Sequence, residues 1–386
     1  ACPATFLLLR SAMIILPLPI IPNQKEEKTM NEISEYRKQI RKDIRRTATK
    51  TSLITIFIII FVNVVAIIVS LILDKTGYWE VTPLSDMTTS MIIQFILCFP
   101  VCILFGKMLV KLPLRSLFSK PDAPTGKIIK WSVMFIGSAQ FIGMVSNMIF
   151  NTIQTQTGTD LNEVTFLPNE NIIDKVLMFV IIALVGPLLE ELLFRGIMLT
   201  PHIRFGQMFA VVITGILFGL YHVNYVQIIS AAIMGVAFGF LAVKTRSIIV
   251  PVIVHMINNS LGAIQYIAPS YIDMDKLTEA EELILSGNSE KGTALMEPYL
   301  VPTMVTSMIS ISMLLVGFVG LIMFIIEMAR NRHEYSLGRE NCDGVPAVQK
   351  VFAYVSSPAT IVLLVMIVGL TVLNAVPTIL TDLLGM

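Results

Sequence analysis

Charge is scarce in this chain. Asp, Glu, Lys and Arg together make up 14% of its 386 residues, against 55% hydrophobic residues. That balance excludes an ordinary soluble domain and an intrinsically disordered segment, and it points to a polytopic membrane protein. Cysteine is scarce too: Cys2, Cys98, Cys102 and Cys342 are scattered without a CxxC pair, which excludes a disulfide framework. Cys98 and Cys102 share a helix face inside an apolar run and read as packing thiols. Internal repeats and low-complexity tracts are missing. The net charge of +1 says little; the placement of the charges says more.

What is present is a series of apolar runs of spanning length, near 52–73, 88–110, 128–150, 172–199, 207–223, 226–243, 247–267, 303–327 and 358–380. The expected fold is therefore an all-α polytopic membrane protein of about nine transmembrane helices. Basic residues collect in the 31–50 lead, in loop 107–127 (Lys107, Lys111, Arg115, Lys120, Lys127), at Lys244 and Arg246, and at Arg330, Arg332, Arg339 and Lys350. The intervening 151–171 and 268–300 loops are acidic. The positive-inside rule then predicts a cytosolic N-terminus and an external C-terminus. The basic lead is read as a topology signal and anionic-lipid contact, and an amphipathic helix is expected around Leu277–Leu285. Residues 1–29 read either as a poor signal-like segment or as sequence upstream of a start at Met30. The second reading rests on Gln24–Lys28, which a purine-rich, ribosome-binding-site-like stretch can encode.

One run breaks the apolar rule. Gly186-Pro187-Leu188-Leu189-Glu190-Glu191-Leu192-Leu193-Phe194-Arg195 carries two carboxylates and a guanidinium at membrane depth. An ionisable group there costs at least ~2.5 kcal/mol, so the cluster is a functional hypothesis by default. Glu191 and Arg195 stand i,i+4 with the acid first, the favourable order for a pair. Glu190 lies about 100° round the helix and is left to work. The chain has four histidines, of which His222 (in Phe218-x-x-x-His222) and His255 (one turn before Asn259) fall in apolar runs. A carboxylate with two imidazoles can activate a water and return its proton to a leaving amine, and His and Asn can donate to an oxyanion. The same set, Glu190, His222 and His255, could instead ligate a divalent metal such as zinc with water as the fourth ligand; the sequence leaves both open. HExxH, a GxSG serine site and a GxGD aspartate pair are missing.

Glu190-Glu191-x-x-x-Arg195, Phe218-x-x-x-His222 and His255-x-x-x-Asn259, in that order on successive segments, resemble the motifs of the CPBP family, the CAAX prenyl endopeptidases and bacteriocin-processing or immunity proteins. The resemblance covers roughly 170–265. It implies a Glu-dependent intramembrane endopeptidase with a four-helix catalytic core at 171–267. Glu190 would activate water with help from His222, His255 and Asn259 would stabilise the oxyanion, and Glu191, Arg195 and Phe218 would support the site. The implied partners are a membrane-associated peptide or protein substrate and the lipid bilayer, with no nucleic acid. Around the core the chain divides into a 1–50 leader and basic segment, three helices over 51–170, an acidic external loop over 268–300 and two helices over 301–386.

Simple straight spans put Glu190 and His255 towards the cytosolic half and His222 near the outer end, a depth mismatch on the order of 10 Å; displaced helices at Pro187 and Pro201 would remove it. A catalytically silent scaffold that binds a partner membrane protein is the competing reading, and a proton-relaying transporter a third, although the paired halves that a transporter favours are missing. Among single residues, His202 and His333 read as solvated loop groups and Asn258 as packing. Tyr221 reads as a substrate contact or an interfacial anchor, and Asn63 and Gln94 as interhelical hydrogen bonders.

Overall fold

The computed structural model describes residues 24–111, 118–157, 171–223, 225–338 and 344–384. The whole Thr5–Pro22 apolar run, and with it the signal-like reading of the leader, lies outside the described residues. Helices are α1 (Gln24–Lys75), α2 (Asp86–Val110), α3 (Thr125–Thr157), α4 (Ile172–Ile203), α5 (Gln207–Tyr221), α6 (Tyr225–Thr245), α7 (Ile249–Ile267), α8 (Met274–Leu285), α9 (Ser289–Met296), α10 (Leu300–Asn331), α11 (Ala347–Val355) and α12 (Pro358–Leu384). No strand occurs among the described residues.

Every expected apolar run lies on a helix, but not all of them are membrane-spanning by length and composition. Six described helices are long and apolar enough, and α11 with α12, bent by 74°, raises the number to seven. The other two are α5 and α7. With 15 residues, α5 is only ~22 Å long, short of a ~30 Å hydrocarbon core. His255, Asn258, Asn259 and Gln265 make α7 more polar than its neighbours. Outward faces carry Ile67, Leu71, Met308 and Leu315, side chains that a bilayer would cover.

The basic loops meet at one end of the bundle. Asp122 N donates to Thr245 O at 2.8 Å, Lys127 pairs with Glu334 at 3.0 Å, and Lys244 donates to Glu334 O and Ser336 O. Lys350 donates to Phe205 O at 2.6 Å and Arg41 to Gln349 at 3.2 Å. At the other end Ser85 N and Oγ donate to Asp174 at 2.8 and 3.0 Å, and the Lys175 ammonium lies 3.5 Å from the Tyr271 ring centre. This alternation of ends is what a chain crossing back and forth produces.

Close packing of α5 on α6 positions the site. A Cβ on Gly215 would stand 2.7 Å from Val236 N, so only glycine lets the two backbones approach this closely. Two corrections concern single residues. His202 is not solvated: it is fully buried, with Nδ1 donating to Met198 O at 2.7 Å, because Pro201 starts a last helical turn that folds it under Tyr354. Asn63 bonds within its own helix, to Ile59 O at 2.7 Å, rather than between helices.

Candidate active site

Helix α4 does not run as a plain α-helix. Its Gly186–Glu191 turn sits between two π-helical stretches, Ile181–Val185 and Leu192–Leu199. Such wide turns add a residue per loop of backbone and often mark functional positions. The cause is legible at Pro187. Gly186 N–H reaches back five residues to Ile181 O, and the next bond in that register would run from residue 187 to Ile182 O. Proline has no N–H to give. Asn259 fills the gap: its Nδ2 donates to Ile182 O at 3.2 Å, while its Oδ1 accepts from Asn258 Nδ2 at 3.3 Å. One side chain of α7 thus satisfies the backbone group that α4 cannot, directly beside the turn that carries both glutamates.

That turn is buried. Glu190 is 7% exposed, Glu191 0%, Arg195 2% and His255 4%. Glu191 Oε1 accepts from Arg195 Nη1 at 2.8 Å and from His255 Nδ1 at 3.0 Å. Arg195 Nη2 donates to Gly235 O at 2.9 Å, which leaves the guanidinium spent on Glu191 and the α6 backbone. Since Nδ1 of His255 donates to a carboxylate, Nε2 is the ring nitrogen turned towards Glu190, whose Oε2 is 3.7 Å away. The expected division holds geometrically: Glu191 is the arginine's partner and Glu190 is not.

Phe218 is the post round which the rest stands. Its ring centre lies 4.6 Å from the Arg195 guanidinium carbon, 5.0 Å from the His222 ring and 6.0 Å from the His255 ring. His222, at the C-terminal end of α5, donates Nδ1–H to Phe218 O at 2.8 Å, which leaves its Nε2 as an acceptor. The depth mismatch of the straight-span picture is thereby removed, because short α5 brings His222 to the same phenyl ring as His255. Glu190, Glu191, Arg195, Phe218, His222 and His255 belong to this one cluster, and Asn259 reaches it through the Ile182 carbonyl of α4. The structure adds Phe238, stacked on His255 at 4.5 Å, and Tyr221, which is buried and accepts a hydrogen bond from Gln94 at 2.9 Å. Gly235 and Phe238 are i,i+3 on α6, a spacing that signals a shared face but carries no chemistry by itself.

As a metal site the set does not fit. Among the described residues no three His, Cys, Asp or Glu side chains converge to hold an ion. The expected ligands Glu190, His222 and His255 do not form such a group.

Known proteins share this core. Residues 172–261 match the family described as type II CAAX prenyl endopeptidase Rce1-like. A protein of Bacillus subtilis (strain 168), described as "Putative membrane peptidase YdiL", is 26% identical over 203 residues, which cover 51% of this chain and 79% of that relative. No solved structure matches. The matched segment is the one that carries the buried Glu, His and Asn cluster, and over it the chain is similar to the type II CAAX prenyl endopeptidases and to a membrane peptidase relative.

Proposed function

We propose that the chain is an intramembrane endopeptidase that hydrolyses a peptide bond of a membrane-associated peptide or protein, with Glu190 activating the water. The observation that carries this reading is the unequal treatment of two adjacent carboxylates. Glu191 is held by Arg195 and His255, whereas Glu190 is buried with no arginine on it and with His255 Nε2 3.7 Å away. A water oxygen can sit ~2.8 Å from both atoms, to one side of the line between them.

In the proposed reaction Glu190 takes a proton as the water oxygen attacks the peptide carbon. The C–N bond then breaks as that proton passes to the leaving nitrogen, giving a carboxylate and an amine. His222, with Nε2 free to accept, assists the transfer. Negative charge on the tetrahedral oxygen is met by the second Nδ2 hydrogen of Asn259, the first being held by Ile182, and by His255 in its imidazolium form, in which Nε2 carries a proton while Nδ1–H stays on Glu191. Glu191, Arg195 and Phe218 fix the orientation of these groups. Peptide maturation, bacteriocin immunity and envelope regulation are the roles that suit such a reaction.

The test is cellular. Glu190→Ala and His222→Ala are scored together for protein level and for the peptides released from membrane or secreted proteins. Both variants should accumulate normally while the same peptides disappear. Normal accumulation with an unchanged peptide profile would overturn the proposal in favour of a scaffold that binds a partner membrane protein.

A further inference from the structure

A polar cavity lies away from the glutamates, where three helices meet at one level. It has a volume of about 510 Å³ and lies between α1, the end of α2 and the last turn of α4, within the ~300–1,000 Å³ usual for small-ligand sites. Lys50 is the last charge before the apolar stretch of α1, Val110 ends α2, and Arg204 follows directly on α4. The cavity is therefore at the height where a bilayer places its headgroups.

Its lining is basic. Arg46, Lys50 and Arg204 face a single carboxylate, Asp43, which pairs with Arg46 at 3.8 Å. Arg204 Nη2 donates to Thr47 Oγ1 at 3.0 Å, so its guanidinium is anchored at the wall. Guanidinium and ammonium donors lining one cavity at headgroup depth form a receptor for a phosphate oxygen.

We infer that this cavity binds a phosphate group, and that the headgroup phosphodiester of an anionic phospholipid supplies it. Occupied, it ties α1 to the end of the helix that carries Glu190. The inference stands independently of the proteolytic reading, because it concerns a different set of residues.

The test uses the purified full chain in detergent, titrated in separate arms with phosphatidylglycerol, phosphatidylcholine and inorganic phosphate, with bound lipid counted by native mass spectrometry and stability read by thermal shift. Wild type should retain phosphatidylglycerol in preference to phosphatidylcholine. Lys50→Gln/Arg204→Gln should weaken that retention by on the order of tenfold. Lys38→Gln/Lys42→Gln, which removes the same number of charges from the basic lead outside the cavity, should leave it intact. Lys50→Glu, at an exposed side chain, is the second cavity variant and should act in the same direction without disturbing the fold. Equal losses from the cavity and control pairs would overturn the inference, since the attraction would then belong to the lead as a whole. Inorganic phosphate that protects as well as the lipid, and competes it off, would overturn the lipid source.

Discussion

The bond between Asn259 and Ile182 O tests the account of α4 most sharply, because a single proline is held responsible for it. Removing the amide with Asn259→Ala leaves a part-buried carbonyl at membrane depth without a donor. An unsatisfied buried group of this kind costs ~1–3 kcal/mol. At 3.2 Å the bond is at the long end of the N–H···O range, so the lower half of that cost is expected, ~1–2 kcal/mol. Pro187→Ala restores an N–H in the register in which Gly186 already bonds Ile181 O. In that background Asn259→Ala should cost close to nothing. The double-mutant cycle, read from SDS-induced unfolding of the purified chain in mixed micelles, should therefore show a coupling of ~1–2 kcal/mol. Additive effects within ~0.5 kcal/mol would refute the reasoning. Peptide cleavage by the same variants separates two roles of the amide. If Asn259 only holds the α4 backbone, Pro187→Ala/Asn259→Ala recovers activity together with stability. If its second hydrogen also meets the oxyanion, stability returns and cleavage does not.

Two further outcomes follow from the packing. Arg195→Met strands the Glu191 carboxylate, whose Oε2 already has no partner, and should destabilise the chain by ~3–5 kcal/mol, whereas Arg195→Met/Glu191→Met should cost much less because no unpaired charge is left buried; equal losses in the same unfolding assay would contradict this. Gly215→Val pushes α5 off α6, where a Cβ would meet Val236 N at 2.7 Å; a loss of ~1–3 kcal/mol is expected from overpacking, together with lost cleavage as His222 shifts, and an unaltered thermal midpoint would speak against the close approach.

Much of the site could be read along the chain because its key pairs are local. Glu191 with Arg195, Phe218 with His222 and His255 with Asn259 are each four residues apart, and helical geometry alone puts each pair on one face. The number of spans was less legible, since hydropathy marks an apolar run but not whether the run crosses. The 15 residues of α5 and the amides of α7 show the difference. His202 was misread as solvated because burial depends on where Tyr354, some 150 positions later, comes to pack.

By itself the sequence determined that the chain is helical and membrane-embedded, which carboxylate the arginine takes, and which motifs accompany them, because these follow from composition and the 3.6-residue period. Only the tertiary structure decided that a short α5 brings His222 level with His255, that Glu191 and Glu190 flank one imidazole, and that Asn259 serves the backbone gap left by Pro187. Those relations join residues 33 to 77 positions apart, and no local rule states which helices will touch.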